Sequence, residues 1–217
     1  MLRTFSSSGA RVTLEGYTLF ELVAEAYSLK DYQVILSRSV PQSLASGTYY
    51  NVVAEAAEDR TPTKAEFREM LQTLLTERCD LRVHREKKEM PVYALVVGRN
   101  GPKFKESAPQ AASMANQTVN GRNQNLILLK TSMESLADSI EGRFGVDRPV
   151  LDKTGLTGTY TIQLEATPEY VINHGDPETG DLSIFTAVQN QLGLKLEPQK
   201  GQIEILVIDH IDKPSEN

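Results

Sequence analysis

One order of elements can be read twice along this chain, and that repetition restricts the fold more than any figure of composition. Arg11–Glu15 alternates as a strand does, and Thr18 then stands where a helix N-cap should, with Glu21 three residues on. Leu19, Leu22, Val23 and Ala26 follow at helical spacing, so a helix is expected over 18–28. Strands are expected at Tyr32–Leu36 and Tyr49–Ala54. A second helix opens at Thr61-Pro62-Thr63 and carries Phe67, Met70, Leu71, Leu74 and Leu75 on one stripe. Leu81–His84 and Val92–Val97 read as a hairpin around the charged stretch Arg85–Glu89. From Leu126 the order restarts. Strand Leu126–Leu129 leads to a helix opened by Thr131-Ser132, then to strands at Val150-Leu151 and Thr159–Leu164. A last helix opens at Ser183 and stops at Gly193, and strands follow at Leu194–Leu196 and Ile203–Ile208. Gly47-Thr48-Tyr49 matches Gly158-Thr159-Tyr160.

The expected fold is therefore α+β, with two similar halves, each laying two helices on a small antiparallel or mixed sheet. The expected division is a first half over 1–106, a linker over 107–124 and a second half over 125–217. Residues 107–124 are rich in Ala, Gln, Asn and Ser and carry no apolar periodicity, which is why they read as a linker.

Composition removes several classes of function. The chain has 217 residues, 40% hydrophobic and 24% charged, with a net charge of −6. Those proportions support a packed core, and the acidic balance disfavours a partner made of nucleic acid. No apolar run approaches the roughly 20 residues that a membrane-spanning helix needs. Met1–Ser8 lacks the apolar segment of a secretory signal, so the chain is expected to be either cytoplasmic or read from downstream of such a signal. Cys79 is the single cysteine, which excludes an internal disulfide and any zinc site built on several cysteines.

Motifs for chemistry are sparse. The common glycine-rich phosphate and dinucleotide loops are missing, as is the Gly-x-Ser-x-Gly elbow, so no cofactor is expected. Asp152-Lys153-Thr154-Gly155 shares four residues with the phosphorylated loop of P-type ATPases, but Leu156-Thr157-Gly158 breaks the pattern. A turn is expected there instead, Asp152 and Thr154 bonding local backbone and Gly155 and Gly158 taking positive φ. His84, His174 and His210 are the only imidazoles. None sits at metal-ligand spacing on a helix, so no metal site is expected. Asp209 and His210 are neighbours on a strand and should face opposite ways. An enzyme built from this chain would pair His84 or His210 with Asp152 or Asp209. Arg78, Arg82, Arg85, Lys87 and Lys88 make the densest basic patch, and interleaved acids make it a solvated face rather than a phosphate groove.

Read in order, Leu71–Arg78, Leu81–Glu86, Met90–Val97, Pro149–Tyr160, Gln191–Glu197, Val207–His210 and the terminal Pro214–Asn217 resemble the soil-associated protein family, a domain of unknown function expanded in acidobacteria. The resemblance runs from about Val12 to Asn217. It implies an exported protein, without established catalytic residues, whose relatives sometimes carry the domain behind a membrane-embedded metallopeptidase of the antibiotic-sensor type. Relatives begin with a signal and an extra strand, which this chain is expected to lack, and carry an aromatic where Cys79 stands. The expectation is a non-catalytic, extracytoplasmic binding or sensory module for a protein or cell-envelope ligand. The competing expectation is a hydrolase-like enzyme using a histidine and a carboxylate.

Overall fold

A computed structural model describes residues 4–8, 10–43, 47–55, 61–174 and 181–214. The terminal motif's Ser215–Asn217 and the leader residues Met1–Arg3 lie outside the described residues. The fold is mixed α+β and dominated by three sheets. The chain separates into two compact units, one of 1–88 with 202–217, the other of 89–201.

In the first unit, β1 (Thr4–Ser8) pairs antiparallel with β2 (Arg11–Tyr17), and β2 with β4 (Tyr50–Glu55). β1 is not among the strands expected from the sequence. Helix α1 (Leu19–Ala26) is closed by a full capping box, the Thr18 hydroxyl accepting from the Glu21 N–H while the Glu21 carboxylate accepts from the Thr18 N–H. A 3₁₀ turn over Asp31–Gln33 leads to the short β3 (Val34–Leu36). Helix α2 (Lys64–Cys79) carries the second capping box at Thr63 and Glu66, so Pro62 precedes the cap instead of opening the helix. The core of this unit packs Leu14, Leu22, Val23, Phe67, Leu75 and Ile208 among others.

The second unit holds β6 (Lys105–Glu106), β7 (Met114–Asn120), β8 (Asn123–Thr131), β9 (Val150–Asp152) and β10 (Tyr160–Ala166). Its helices are α3 (Met133–Phe144), α4 (Glu169–Ile172) and α5 (Ile184–Ala187), the last running into a π turn over Val188–Leu192. The sheet order is β6-β10-β8-β7. Its core includes Leu126, Leu136, Ile140, Phe144, Ile162 and Ile184. Residues 107–124, read from composition as a linker, contain β7. That strand is exposed along its whole length, so it carries no apolar alternation to betray it.

One expected hairpin does not form, and two strands expected separately are one. Arg82–Val97 is one strand, β5, and Leu194–His210 is one strand, β11. The charged middle of each, 85–89 and 197–200, is exposed, and a solvated strand needs no apolar face there. The third sheet has the order β3-β11-β5-β9, with β3 parallel to β11 (Val34 opposite Leu206) and β9 parallel to β5 (Val150 opposite Tyr93).

The same local devices occur in each unit. Three steps of β2, Leu14 to Tyr17, span two steps of β4, and three of β8, Leu128 to Thr131, span two steps of β10. Gly16 at φ +74° and Lys130 at φ +55° make those bulges, each two residues before a helix cap, Thr18 or Ser132. Asp80 at φ +44° and Gly193 at φ +67° end a helix in the left-handed conformation just before β5 and β11.

Gly193 is the tighter position. A Cβ added there meets the Gly101 carbonyl oxygen at 2.2 Å, whereas one added at Gly155, φ +71°, meets nothing within 4 Å. Gly155→Ala should cost about 1 kcal/mol from backbone strain alone. Gly193→Ala should cost roughly 3 kcal/mol or more, because strain and overlap add. Urea denaturation of both variants checks the order.

Candidate functional site

The histidines are held by strand geometry. His84 lies on β5 and Asp209 on β11, and His84 Nδ1 is 2.7 Å from Asp209 Oδ2. Glu86 stands 4.0 Å from the other ring nitrogen. His210, the next residue after Asp209, faces the other way, its Nε2 3.4 Å from Asp80 and 3.2 Å from Asp212. Adjacent strand residues thus serve opposite faces, as their alternation requires. Asp152 belongs to the other unit and makes a turn. Its Oδ1 accepts from the Thr154 N–H and hydroxyl, both at 2.8 Å, and the Thr154 Oγ1 accepts from Leu156 N–H. Gly155 takes positive φ there, and Gly158 does not.

The His84–Asp209 pair sits on open surface, the side chains 51% and 43% exposed. The hydrogen bond to Asp209 raises the His84 pKa above 6.5; desolvation opposes it, and the Asp209 and Glu86 charges add to it. Asp80, His210 and Asp212 bring one donor atom each within 4.8 Å of one another. One imidazole and two carboxylates are a donor set that zinc accepts. The Arg82 guanidinium already holds Asp80, Nη2 at 2.8 Å and Nε at 3.3 Å, and a cation has to displace it. His-x-Asp on an extended chain is the sequence signal for that pair. A search for helical spacing passes over it.

The basic patch divides along β5. Arg82 is held by Asp80, Arg85 pairs with Glu204, and Lys87 and Lys88 are solvated. Arg78 is set apart from them, on α2, where it lines a groove of about 570 Å³. Leu22, Leu75 and Cys79 are buried beneath this groove, Tyr50 and Val53 of β4 wall it, and Pro214 closes one end. Among the described residues neither a histidine nor a carboxylate lines it. Val53 is 51% exposed and Tyr49 54%, both unusual for large apolar side chains. The sequence marks these residues only as a strand, because β alternation says nothing about what covers the outer face.

Cys79 is a packing residue. Burial pushes its thiol pKa up, and the Asp212 charge pushes the same way. A second polar cluster, not foreseen from sequence, lies in the other unit. The Tyr93 hydroxyl donates to Asp147 at 3.0 Å, the Arg148 guanidinium lies 5.3 Å from the centre of the Tyr93 ring, and burial raises the Glu169 pKa. The groups come from a strand, a loop and a four-residue helix, so no local motif announces them.

Fold and site together define a two-unit, sheet-dominated α+β protein with a groove beside the last described strand of one sheet. Residues 20–211 match the family model described as a protein of unknown function, DUF3738, and the chain belongs to that family. No curated protein matches the chain. No solved structure matches it.

Two outcomes follow from the geometry. An NMR titration should give His84 a pKa above 6.5, and Asp209→Asn should return it towards that value. Because the folded value is raised, the pair's contribution to stability is whole below pH 6.5 and is lost as pH rises through the folded pKa. Cys79 should stay unreactive towards an aromatic disulfide reagent until the chain is unfolded.

Proposed function

We propose that this protein is a non-catalytic binding module whose site is the groove between α1, α2 and β4. One observation carries the reading: Val53 of β4 and the adjacent Tyr49 are exposed apolar residues, and Val53 lines a groove that has neither a histidine nor a carboxylate among its described lining residues. Exposed apolar surface beside a concave site is what a binding face requires. The ligand is a protein or cell-envelope molecule. The acidic chain disfavours nucleic acid. No helix among the described residues is long and apolar enough to cross a membrane.

The hydrolase-like alternative has less to support it. His84 and Asp209 are within hydrogen-bond reach, but both are half exposed and neither lines the groove, so nothing there excludes water or orients a substrate. The family resemblance extends the proposal to an exported, sensory protein of the soil-associated, acidobacterial kind. We also read the two units as copies of one strand–helix–strand–strand–helix–strand plan. The matched bulges, caps and left-handed helix ends support that reading.

A thermal-shift screen of the full chain against peptides and cell-envelope oligosaccharides tests the binding reading. A ligand at 100 times its Kd adds about 2.7 kcal/mol, a rise of roughly 5–10 °C for a chain of this size. Val53→Glu should abolish the rise while leaving the unliganded Tm almost unchanged. A hit that survives Val53→Glu, or turnover of a ligand that is lost in His84→Ala, overturns the reading.

A further inference from the structure

A second cavity, of about 340 Å³, lies within the unit of 89–201. Arg99, Lys103 and Lys195 line it, and among the described residues no carboxylate does. Its other side chains are amides, those of Asn100, Gln189 and Asn190. In a chain of net charge −6, three cations around one hollow reverse the general balance.

Main-chain hydrogen bonds fix the segments that carry these groups. The Gly98 N–H donates to the Gly193 carbonyl and the Lys103 N–H to the Leu192 carbonyl, both at 2.9 Å, and the Gly101 N–H closes a turn onto the Gly98 carbonyl at 3.0 Å. A Cβ on Gly98 would meet the Gly193 carbonyl oxygen at 2.8 Å, so the close approach of the turn to the start of β11 depends on glycine. A site held this way before its ligand arrives has less ordering to offset on binding.

The ordinary task of a cation here is to meet the last carbonyls of a helix, which carry partial negative charge. Lys103 does so, its ammonium donating to the Asn190 carbonyl at 2.8 Å, and two of its three N–H donors remain. Lys195 reaches Glu197 at 3.8 Å, both side chains being about half exposed. Arg99 is exposed and has no acidic partner among the described residues. In the other unit the corresponding charges are neutralised. There the Asp212 N–H donates to the Cys79 carbonyl at 2.7 Å, as Lys103 does to Leu192, and the left-handed Asp80 stands where Gly193 stands. Arg82 follows Asp80 by two residues, as Lys195 follows Gly193, and Asp80 holds it. Gly193 and Lys103 thus take the places of two acids.

We propose that this cavity binds a phosphate monoester carried on a small hydroxylated body, a sugar phosphate by chemical class. A monoester carries about two negative charges at pH 7. Three cations held together repel one another, and a dianion offsets that repulsion more than a singly charged carboxylate can. The amides of Asn100, Gln189 and Asn190 both donate and accept, which suits hydroxyl groups. The volume stands near the lower end of the roughly 300–1,000 Å³ usual for small-molecule sites, which fits one sugar rather than a chain of them. The site is not the groove of α1, α2 and β4, and the binding reading there stands or falls separately.

Glucose 6-phosphate is the probe, titrated at low salt into the ¹⁵N-labelled full chain, with affinities from calorimetry. It should bind and shift the amides of Asn100, Gly101 and Gly193, and added salt should weaken it. Glucose should not bind. Glucuronate and inorganic phosphate should each bind at least about tenfold more weakly, the first for want of charge and the second for want of hydroxyls. Arg99→Gln and Lys195→Gln should each weaken the probe about tenfold or more, and Arg99→Gln should leave the Tm unchanged because the side chain is exposed. Lys87→Gln removes the same charge from the solvated part of β5 and should alter affinity by less than about twofold. If Lys87→Gln and Arg99→Gln weaken the probe alike, or if none of the three amides shifts, the anion site is overturned. If inorganic phosphate binds as tightly as the probe, the assignment to a sugar phosphate is overturned.

Discussion

Two long strands set the terms for everything else. β5 and β11 each begin at a helix end in the left-handed conformation, and each contributes to both hydrophobic cores. From β5, Val83 packs against the first core and Leu95 lies in the second; from β11, Leu194 and Leu196 lie in the second and Leu206 and Ile208 in the first. Neither core is complete without residues distant in sequence. Such a fold depends on non-local pairing, which forms late and is lost first when a strand is interrupted. The charged middles, 85–89 and 197–200, are tolerated because they are exposed, and a hydrated strand retains its hydrogen bonds without an apolar face.

The same long strands explain why the titratable residues are a poor guide to chemistry. They carry His84, Asp209 and His210 on exposed faces, where an imidazole meets whichever carboxylate stands across the strand. Those pairings raise the His84 pKa, yet the groups are half exposed, and an exposed ion pair does little for stability. The groove has the opposite character. Its walls come from α1, α2 and β4, it is apolar, and Arg78 is the charged group that lines it.

Sequence reading succeeds here where the information is local. The Thr18–Glu21 capping box, the Ser132 and Ser183 caps and the stop at Gly193 are where residue chemistry puts them, since a cap needs only a side-chain oxygen and an N–H a turn away. It fails at β7, exposed on both faces, and at β5, where Arg85–Glu89 has the composition of a loop and the backbone of a strand. The Asp80, His210 and Asp212 cluster escapes it for a related reason, because its members meet through a strand and a helix end far apart in the chain.

By itself the sequence determined the α+β class, the positions of the main helices, the local hydrogen-bonded turn at Asp152 and the absence of familiar nucleotide or hydrolase motifs. All follow from spacing, capping and turn chemistry within a few residues. Tertiary structure alone decided that the predicted hairpin is a single strand, that His84 faces Asp209 while His210 faces Asp80, and that β4 is the last described strand of its sheet, beside a groove. Each is a matter of which distant segment lies alongside which. Strand pairing is set by burial and register across the whole chain, and no window of sequence contains both partners.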